Sequence, residues 1–239
     1  MRNRNIQEAE DKGGYKKTII MNIIKAAKRT IPLAALFVIT MSAKGQEFDY
    51  DFSDDKTGVT IYYNVTSDEY PLTIAVANRD FNYNSYKGAI TVPAKVFKGG
   101  GLYDVTSVWE NAFAYSDSLT EVTFPESVTV LEDGAFIGCK KLKKITIPGN
   151  LESIGNAAFY GCSSLETITL AASLVQIGDE AFSGCSSLKS IYIQSETPPQ
   201  ISGSSLGKIK AVIYVPRGAS EAYMTSDVWK KYKIVETEE

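Results

Sequence analysis

The side chains of this sequence best suited to chemistry are three cysteines spaced 23 residues apart, Cys139, Cys162 and Cys185. A thiolate can act as a nucleophile, a redox centre or a metal ligand. A zinc site needs four ligands, and the 239-residue chain has no histidine to complete one or to activate a thiolate. The spacing therefore favours a column of small, buried, apolar thiols, with a disulfide between neighbouring cysteines as the alternative.

A second column with the same spacing carries oxygen atoms instead of sulfur. Stacked carboxylates would suit calcium, whereas a single side-chain oxygen can cap the short turn that begins at the Ala-Phe pair of each repeat. An asparagine interrupts the negative charge, so we favour capping and predict neither a metal nor a cofactor. The column comprises Glu110, Asp133, Asn156 and Asp179.

Composition removes several classes of protein. Without histidine there is no Ser-His-Asp triad and no Cys-His pair, and the sequence contains no phosphate-binding or dinucleotide-binding glycine motif. We therefore predict that the protein is not an enzyme. After residue 45 the chain holds 16 basic and 25 acidic residues, a net charge of −9. Because phosphate contacts need clustered cations, we expect no nucleic-acid partner.

A 23-residue period runs through residues 105–196 without a gap, giving four consecutive lines. Periods of about 20–50 residues are typical of solenoids, in which each repeat forms one coil. Three columns are apolar in every line: phenylalanine at Phe113, Phe136, Phe159 and Phe182; leucine at Leu119, Leu142, Leu165 and Leu188; and valine or isoleucine at Val122, Ile145, Ile168 and Ile191.

Each line contains one segment that predicts a half-buried strand, such as 142–147, where apolar and polar residues alternate. One coil alone cannot bury enough apolar surface to offset the conformational entropy of 23 residues, so coils must stack and their ends need caps. The sequence predicts a β-rich α/β solenoid of four 23-residue repeats over 105–196. We expect a β-rich N-terminal cap at 46–104 and a small α/β C-terminal cap at 197–239.

The caps contain their own local signals. Segments 59–66 and 72–77 are rich in β-branched and aromatic residues and predict strands, and the three glycines 99–101 predict a hairpin turn. Segments 88–93 and 211–216 look like a strand before and a strand after the four repeats. Residues 218–224 predict a short helix, and Trp229 and Tyr232 are candidates to cover the last coil.

The repeated line resembles the bacterial BspA-like leucine-rich repeat. The first line departs from it, with Trp109 and Tyr115 in place of glycine and Ser116 in place of cysteine. The resemblance covers residues 105–196 and implies a right-handed leucine-rich repeat coil. It also implies an exported or surface-displayed protein, in a family with members implicated in adhesion to host proteins or other cells. The third line carries the pattern best, at Ile154, Gly155, Ala158, Phe159, Gly161, Cys162, Leu165, Ile168 and Leu170.

Residues 1–45 predict an export signal. A basic stretch at 25–29 precedes an apolar run at 31–41 and the small residues Ser42, Ala43 and Gly45. A transmembrane helix needs about 20 apolar residues, so this run is too short to remain as an anchor. We expect translation to begin at Met21 and cleavage near Gly45. The mature chain would have no integral membrane span and would be secreted, periplasmic or on the surface of a bacterial cell.

The outward strand positions are the candidate binding surface. Inward Leu142, Ile145 and Ile147 place the residues between them outward, which gives two exposed columns across the four repeats. We predict a non-catalytic exported protein-protein interaction or adhesion module, whose partner is a protein or glycan ligand on a host or neighbouring cell surface. The alternative is a carbohydrate-binding or glycan-processing accessory protein that uses Tyr63, Tyr83, Tyr86 and Tyr192 as stacking surfaces. The predicted ligand-binding face comprises Glu121, Thr123, Lys144, Thr146, Thr167, Thr169, Ser190 and Tyr192.

Overall fold

The computed structural model describes residues 50–53, 60–78 and 86–238, which lie in one unit running from Ile39 to Glu239. The predicted export signal at 1–45 falls outside these residues. The described chain forms strands β1 (Tyr50–Ser53), β2 (Thr60–Ser67), β3 (Thr73–Ala77), β4 (Lys87–Thr91), β5 (Lys95–Lys98), β6 (Gly101–Val108), β7 (Ser118–Thr123), β8 (Val130–Leu131), β9 (Lys144–Thr146), β10 (Ser153–Ile154), β11 (Thr167–Leu170), β12 (Gln176–Ile177), β13 (Ser190–Ile193), β14 (Gln200–Ile201), β15 (Val212–Val215) and β16 (Lys233–Glu236). Helix α1 (Ser220–Thr225) and a 3₁₀ turn (Trp229–Lys231) lie between β15 and β16.

The second, third and fourth repeats each contribute one longer strand of three or four residues and one short strand of two residues. Strands of each kind pair in parallel with the same element of the neighbouring repeat, except that no ladder joins β9 to β11 within the described residues. The longer strands place Glu121 beside Lys144 and Thr169 beside Tyr192, while the short strands place Ser153 beside Gln176. All three pairs are 23 residues apart. One period is therefore one coil, which confirms the predicted solenoid.

The phenylalanine column forms a continuous stack through the centre of the coils. The ring centroids of Phe113 and Phe136 are 4.7 Å apart, those of Phe136 and Phe159 are 5.3 Å apart, and those of Phe159 and Phe182 are 5.2 Å apart. The four rings are fully buried. The strand isoleucines and the column of leucines belong to the same core cluster. This common core joins the sheets on the two sides of the coils.

The stack of coils extends past residues 105–196 at both ends. Six of the longer strands follow one another, because β4 pairs with β7 before the first predicted repeat and β13 pairs with β15 after the last. Both flanking strands were predicted from segments 88–93 and 211–216. The double proline at 198–199 does not end the sheet that contains the short strands, since β14 still pairs with β12. The domain boundaries at residues 104 and 196 stay predictions.

The N-terminal flank adds strands to the sheet that contains the short strands of the solenoid. β2 pairs antiparallel with β1 on one side and with β3 on the other, and β3 runs parallel to β6. β5 and β6 form a hairpin in which Lys98 pairs with Gly101, so Gly99 and Gly100 are its two turn residues. Their φ angles of 54° and 95° lie in the left-handed region that such turns require. The predicted strands and the predicted turn are confirmed.

The C-terminal flank covers the last coil with aromatic side chains. Trp229 is buried, and its indole Nε1–H donates to the carbonyl oxygen of Pro199 at 2.8 Å. The hydroxyl of Tyr223 in α1 donates to the carbonyl oxygen of Ser195 at 2.9 Å. Both bonds are buried and connect the cap to the end of the repeats. The predicted short helix is confirmed, and Trp229 takes the covering position expected of it.

Candidate functional site

The outward residues of the longer strands form a surface that we call the strand face. The eight predicted residues lie on these strands, and the structure pairs them within each half of the two predicted columns: Glu121 with Lys144, Thr123 with Thr146, Thr167 with Ser190 and Thr169 with Tyr192. Their intervening neighbours Val122, Ile145, Ile168 and Ile191 are buried. The alternation fixes which side chains face outward, because a strand turns successive side chains to opposite sides.

The strand face is divided between the second and third repeats. Strands β4, β7 and β9 form one sheet, strands β11, β13, β15 and β16 form another, and no ladder joins β9 to β11 within the described residues. The first sheet carries an ion pair in which Lys144 Nζ lies 2.5 Å from Glu121 Oε1. In the other sheet the four predicted positions, Thr167, Thr169, Ser190 and Tyr192, are all uncharged. The two halves therefore differ in chemistry.

A stacked pair of tyrosines occupies the centre of the second half. The ring centroids of Tyr192 and Tyr214 are 4.6 Å apart and the rings are 12° from parallel. Tyr192 is 37% exposed although it lies on a central strand. The row continues with Thr169 on one side of the pair and Val235 on the other. The adjacent row adds Val212 and Lys233 to the predicted Thr167 and Ser190.

Four further residues of this face are not predicted from the sequence: Val212, Tyr214, Lys233 and Val235. Tyr214 pairs with Tyr192 across a coil of 22 residues rather than 23, so the strict period does not align the two. The alternating pattern of 211–216 predicts a strand, and it also contains the signal that places Val212 and Tyr214 outward. β16 has no repeat pattern that would have placed Lys233 and Val235.

The cysteine column is buried and structural. All three thiols are free, and each S–H donates to the carbonyl oxygen of a phenylalanine 26 residues earlier, at 2.9–3.2 Å. Burial raises the pKa of Cys139 and of Cys185 to about 12, and it raises the pKa of Cys162 as well. A thiol in this state is a poor nucleophile and a poor metal ligand. The structure agrees with the prediction of packed thiols and shows no disulfide between neighbours.

The acidic column does not cap its own turns, and that expectation was wrong. Asp133 accepts a hydrogen bond from the backbone N–H of Asn156 at 2.7 Å, and Asn156 accepts one from the backbone N–H of Asp179 at 2.8 Å. Each oxygen thus binds the next coil, because the coils approach closely enough for a side chain to reach across. Hydroxyls of Ser202 and Ser204 continue the column by donating to Asp179 and lower the pKa of its carboxyl group.

Two of the four tyrosines proposed as sugar platforms are buried and therefore not available for stacking. Tyr63 and Tyr86 are almost completely buried, and the Tyr86 hydroxyl donates to the carbonyl oxygen of Ala77. Both side chains belong to the core cluster where the N-terminal sheet meets the first coil. Tyr83 lies outside the described residues, which leaves Tyr192 as the one residue of that set shown to be exposed. The glycan-binding alternative therefore loses two of the four stacking surfaces on which it was based.

Two further findings concern the residues that the structure describes. No group of three or more histidine, cysteine, aspartate or glutamate side chains in that part of the chain is arranged to hold a metal ion. The described helices include none with the length and apolar character needed to cross a membrane.

Comparison with known protein families matches residues 105–210 to the BspA-type leucine-rich repeat region, in six copies. These residues are therefore a BspA-type leucine-rich repeat region, as the repeated line predicted. Proteins built from such repeats are generally non-enzymatic interaction proteins. A comparison with curated proteins finds no match to the chain.

Several solved structures are similar to this chain. A leucine-rich repeat protein from Bacteroides capillosus is 28% identical over 56% of this chain and 94% of its own, with a TM-score of 0.48. One from Bacteroides ovatus is 28% identical over 66% of this chain, with a TM-score of 0.49, and the match spans 46% of its length. A leucine-rich cell surface protein from Faecalibacterium prausnitzii is 21% identical over 82% of this chain and 56% of its own, with a TM-score of 0.44.

Proposed function

We propose that this BspA-type leucine-rich repeat region is a non-catalytic interaction module that presents its strand face to a protein ligand. The observation that carries the proposal is the outward row of exposed Thr169 and Tyr192 and partly buried Tyr214 and Val235, which crosses four hydrogen-bonded parallel strands. The strands fix the backbone, so a ligand can be met without ordering a loop first. A rigid surface binds with a lower entropic cost than a flexible one.

The tyrosine pair is the expected centre of this surface. Tyrosine is enriched among the residues that contribute most to binding energy at protein interfaces, because it offers apolar area and a hydroxyl with few rotatable bonds. Stacking on Tyr214 restrains the Tyr192 ring further. The ion pair of Glu121 and Lys144 is exposed and its charges are mutually neutralised, so we expect that half of the strand face to contribute less.

The proposal also includes export of the protein and a role in adhesion. The basic and apolar segments within 1–45 support export, and the family of the repeat supports a role in contact between cells or between a cell and host proteins. On this view the mature protein is secreted, periplasmic or displayed on the bacterial surface, where an exposed strand face can meet a partner.

The test compares binding of the purified protein and a triple variant, Lys144→Ala, Thr169→Ala and Tyr192→Ala, to immobilised extracellular-matrix proteins by surface plasmon resonance. We expect the variant to bind at least about tenfold more weakly, since hot-spot residues each contribute more than about 1 kcal/mol. Its thermal midpoint should change little, because the three side chains are exposed.

The matched control changes the same residue types elsewhere on the repeats and cap: Tyr160→Ala, Lys208→Ala and Thr225→Ala, all exposed and outside the strand face. This control should bind like the parent protein. Equal binding by the strand-face variant and the parent would remove the strand face from the function.

A further inference from the structure

A groove of about 590 Å³ crosses β8, β10, β12 and β14, the sheet that the proposed function does not use. One wall is the outward column of these short strands, Val130, Ser153, Gln176 and Gln200, which pair in register from coil to coil. The opposite wall is the turn column that contains Asp133 and Asn156. Because neighbouring strands are about 4.8 Å apart, the wall formed by the four short strands is about 14 Å long, the length of four residues of extended peptide.

Two glycines in the lining of the groove lie where successive coils approach closely. A Cβ atom on Gly155 would lie 2.6 Å from the backbone nitrogen of Asp133, and one on Gly178 would lie 2.5 Å from that of Asn156. Only glycine permits the coils to approach so closely at these two positions. The same column has Glu132 one coil earlier and Ser202 one coil later, so larger side chains stand at the two ends of the open stretch.

The charge of the lining is of one sign. Glu110, Glu132 and Asp133 lie at one end, and none of the lining residues is a lysine or an arginine. Burial raises the pKa of the Glu132 carboxyl group, a hydrogen bond from the backbone N–H of Glu110 opposes this, and the charges of Glu110 and Asp133 raise it further. Both carboxylate oxygens of Asp133 already bind Asn156. A cation at this end would relieve the repulsion among the three carboxylates.

We propose that this groove binds an extended peptide segment that carries a lysine or arginine side chain. The cation lies at the end formed by Glu110, Glu132 and Asp133, and the peptide backbone follows the column of Ser153, Gln176 and Gln200. Hydroxyl and amide side chains both donate and accept hydrogen bonds, which matches the alternating N–H and C=O groups of an extended chain. The negative lining disfavours nucleic acids and acidic glycans.

The probe is a fluorescein-labelled octapeptide of alternating lysine and alanine, and its counterpart has glutamate in place of lysine. Fluorescence anisotropy with the full protein is measured at low salt and at about 150 mM salt, where charge attraction beyond about 8 Å is largely screened. We expect the lysine peptide to bind at both salt concentrations and the glutamate peptide to bind at neither. Absence of lysine-peptide binding, or equal binding of both peptides, would overturn the proposal.

Two pairs of variants separate a groove from general attraction to an acidic protein. Glu110→Gln with Glu132→Gln should weaken lysine-peptide binding about tenfold, whereas Glu196→Gln with Glu221→Gln, which removes the same charge from exposed positions outside the groove, should leave it within about twofold. Equal losses in the two double variants would assign the binding to net charge and contradict the groove.

A neutral variant tests the groove by shape. Ser153→Tyr should fill the groove and abolish binding, and Thr169→Tyr, an outward position on the other sheet, should not. Unchanged binding by Ser153→Tyr would place the peptide elsewhere. The strand-face triple variant should bind the lysine peptide like the parent, so failure of the proposed function and failure of the groove can be told apart.

Discussion

At the scale of single residues, the solenoid depends on two backbone positions per coil that adopt a left-handed conformation. One is occupied by glycine in most repeats, with φ of 70° at Gly138 and 72° at Gly161. The other is Gly134 in one repeat, with φ of 62°, but Ala157 in the next, with φ of 51°. For a residue with a Cβ atom this conformation costs about 1–2 kcal/mol, so the third repeat carries backbone strain.

Replacing Ala157 with glycine should therefore stabilise the protein. The gain is reduced by the greater freedom of glycine in the unfolded chain, so we expect an increase of about 1 kcal/mol or less in the free energy of unfolding. The measurement is urea unfolding followed by circular dichroism. Ala158→Gly is the matched control, since Ala158 is fully buried beside the strained residue, and its replacement should destabilise. Destabilisation by Ala157→Gly as large as that of the control would contradict the strain.

At the scale of one coil on the next, neighbouring repeats are joined by side chains as well as by strands. The Asp133 to Asn156 to Asp179 column and the cysteine thiols each bind the backbone of an adjacent coil. Both columns are evident from their spacing in the sequence, and the cysteines are correctly predicted to be buried and packed. The prediction that the acidic column caps its own turns was wrong, because the closeness of the coils, set by Gly155 and Gly178, is a tertiary property that one repeat does not reveal.

The buried thiols should be almost unreactive in the folded protein. A thiol with a pKa of about 12, as at Cys139, holds about a thousandfold less thiolate at pH 8 than one with a pKa of 9, and only the thiolate reacts. We expect no fast reaction with a chromogenic disulfide reagent at pH 8 in the native state, and three equivalents per chain in denaturant. Rapid reaction of a thiol in the native protein would show that the coils open at that position.

At the scale of the whole molecule, most of the architecture followed from the period. The repeated columns fixed the coil, the core and the outward positions, because residues 23 apart meet the same environment in successive coils. The ends were harder: β16 lacks the repeat pattern, and the 22-residue coil before Tyr214 hides it from a strict alignment. The groove was not predicted, because two separate columns form its walls. Its glycines look like ordinary turn residues in the sequence.

The most direct test of this architecture is disulfide trapping on the strand face. Thr167 and Ser190 are paired on adjacent strands, about 4.8 Å apart, whereas Thr167 and Val212 are separated by an intervening strand, about 10 Å apart. Cysteines bridge only when their Cα atoms are within about 7 Å. Under mild oxidation, mass spectrometry should find a disulfide in Thr167→Cys with Ser190→Cys and none in Thr167→Cys with Val212→Cys. A bridge in the second pair, or in neither, would contradict the stacking of residues one period apart.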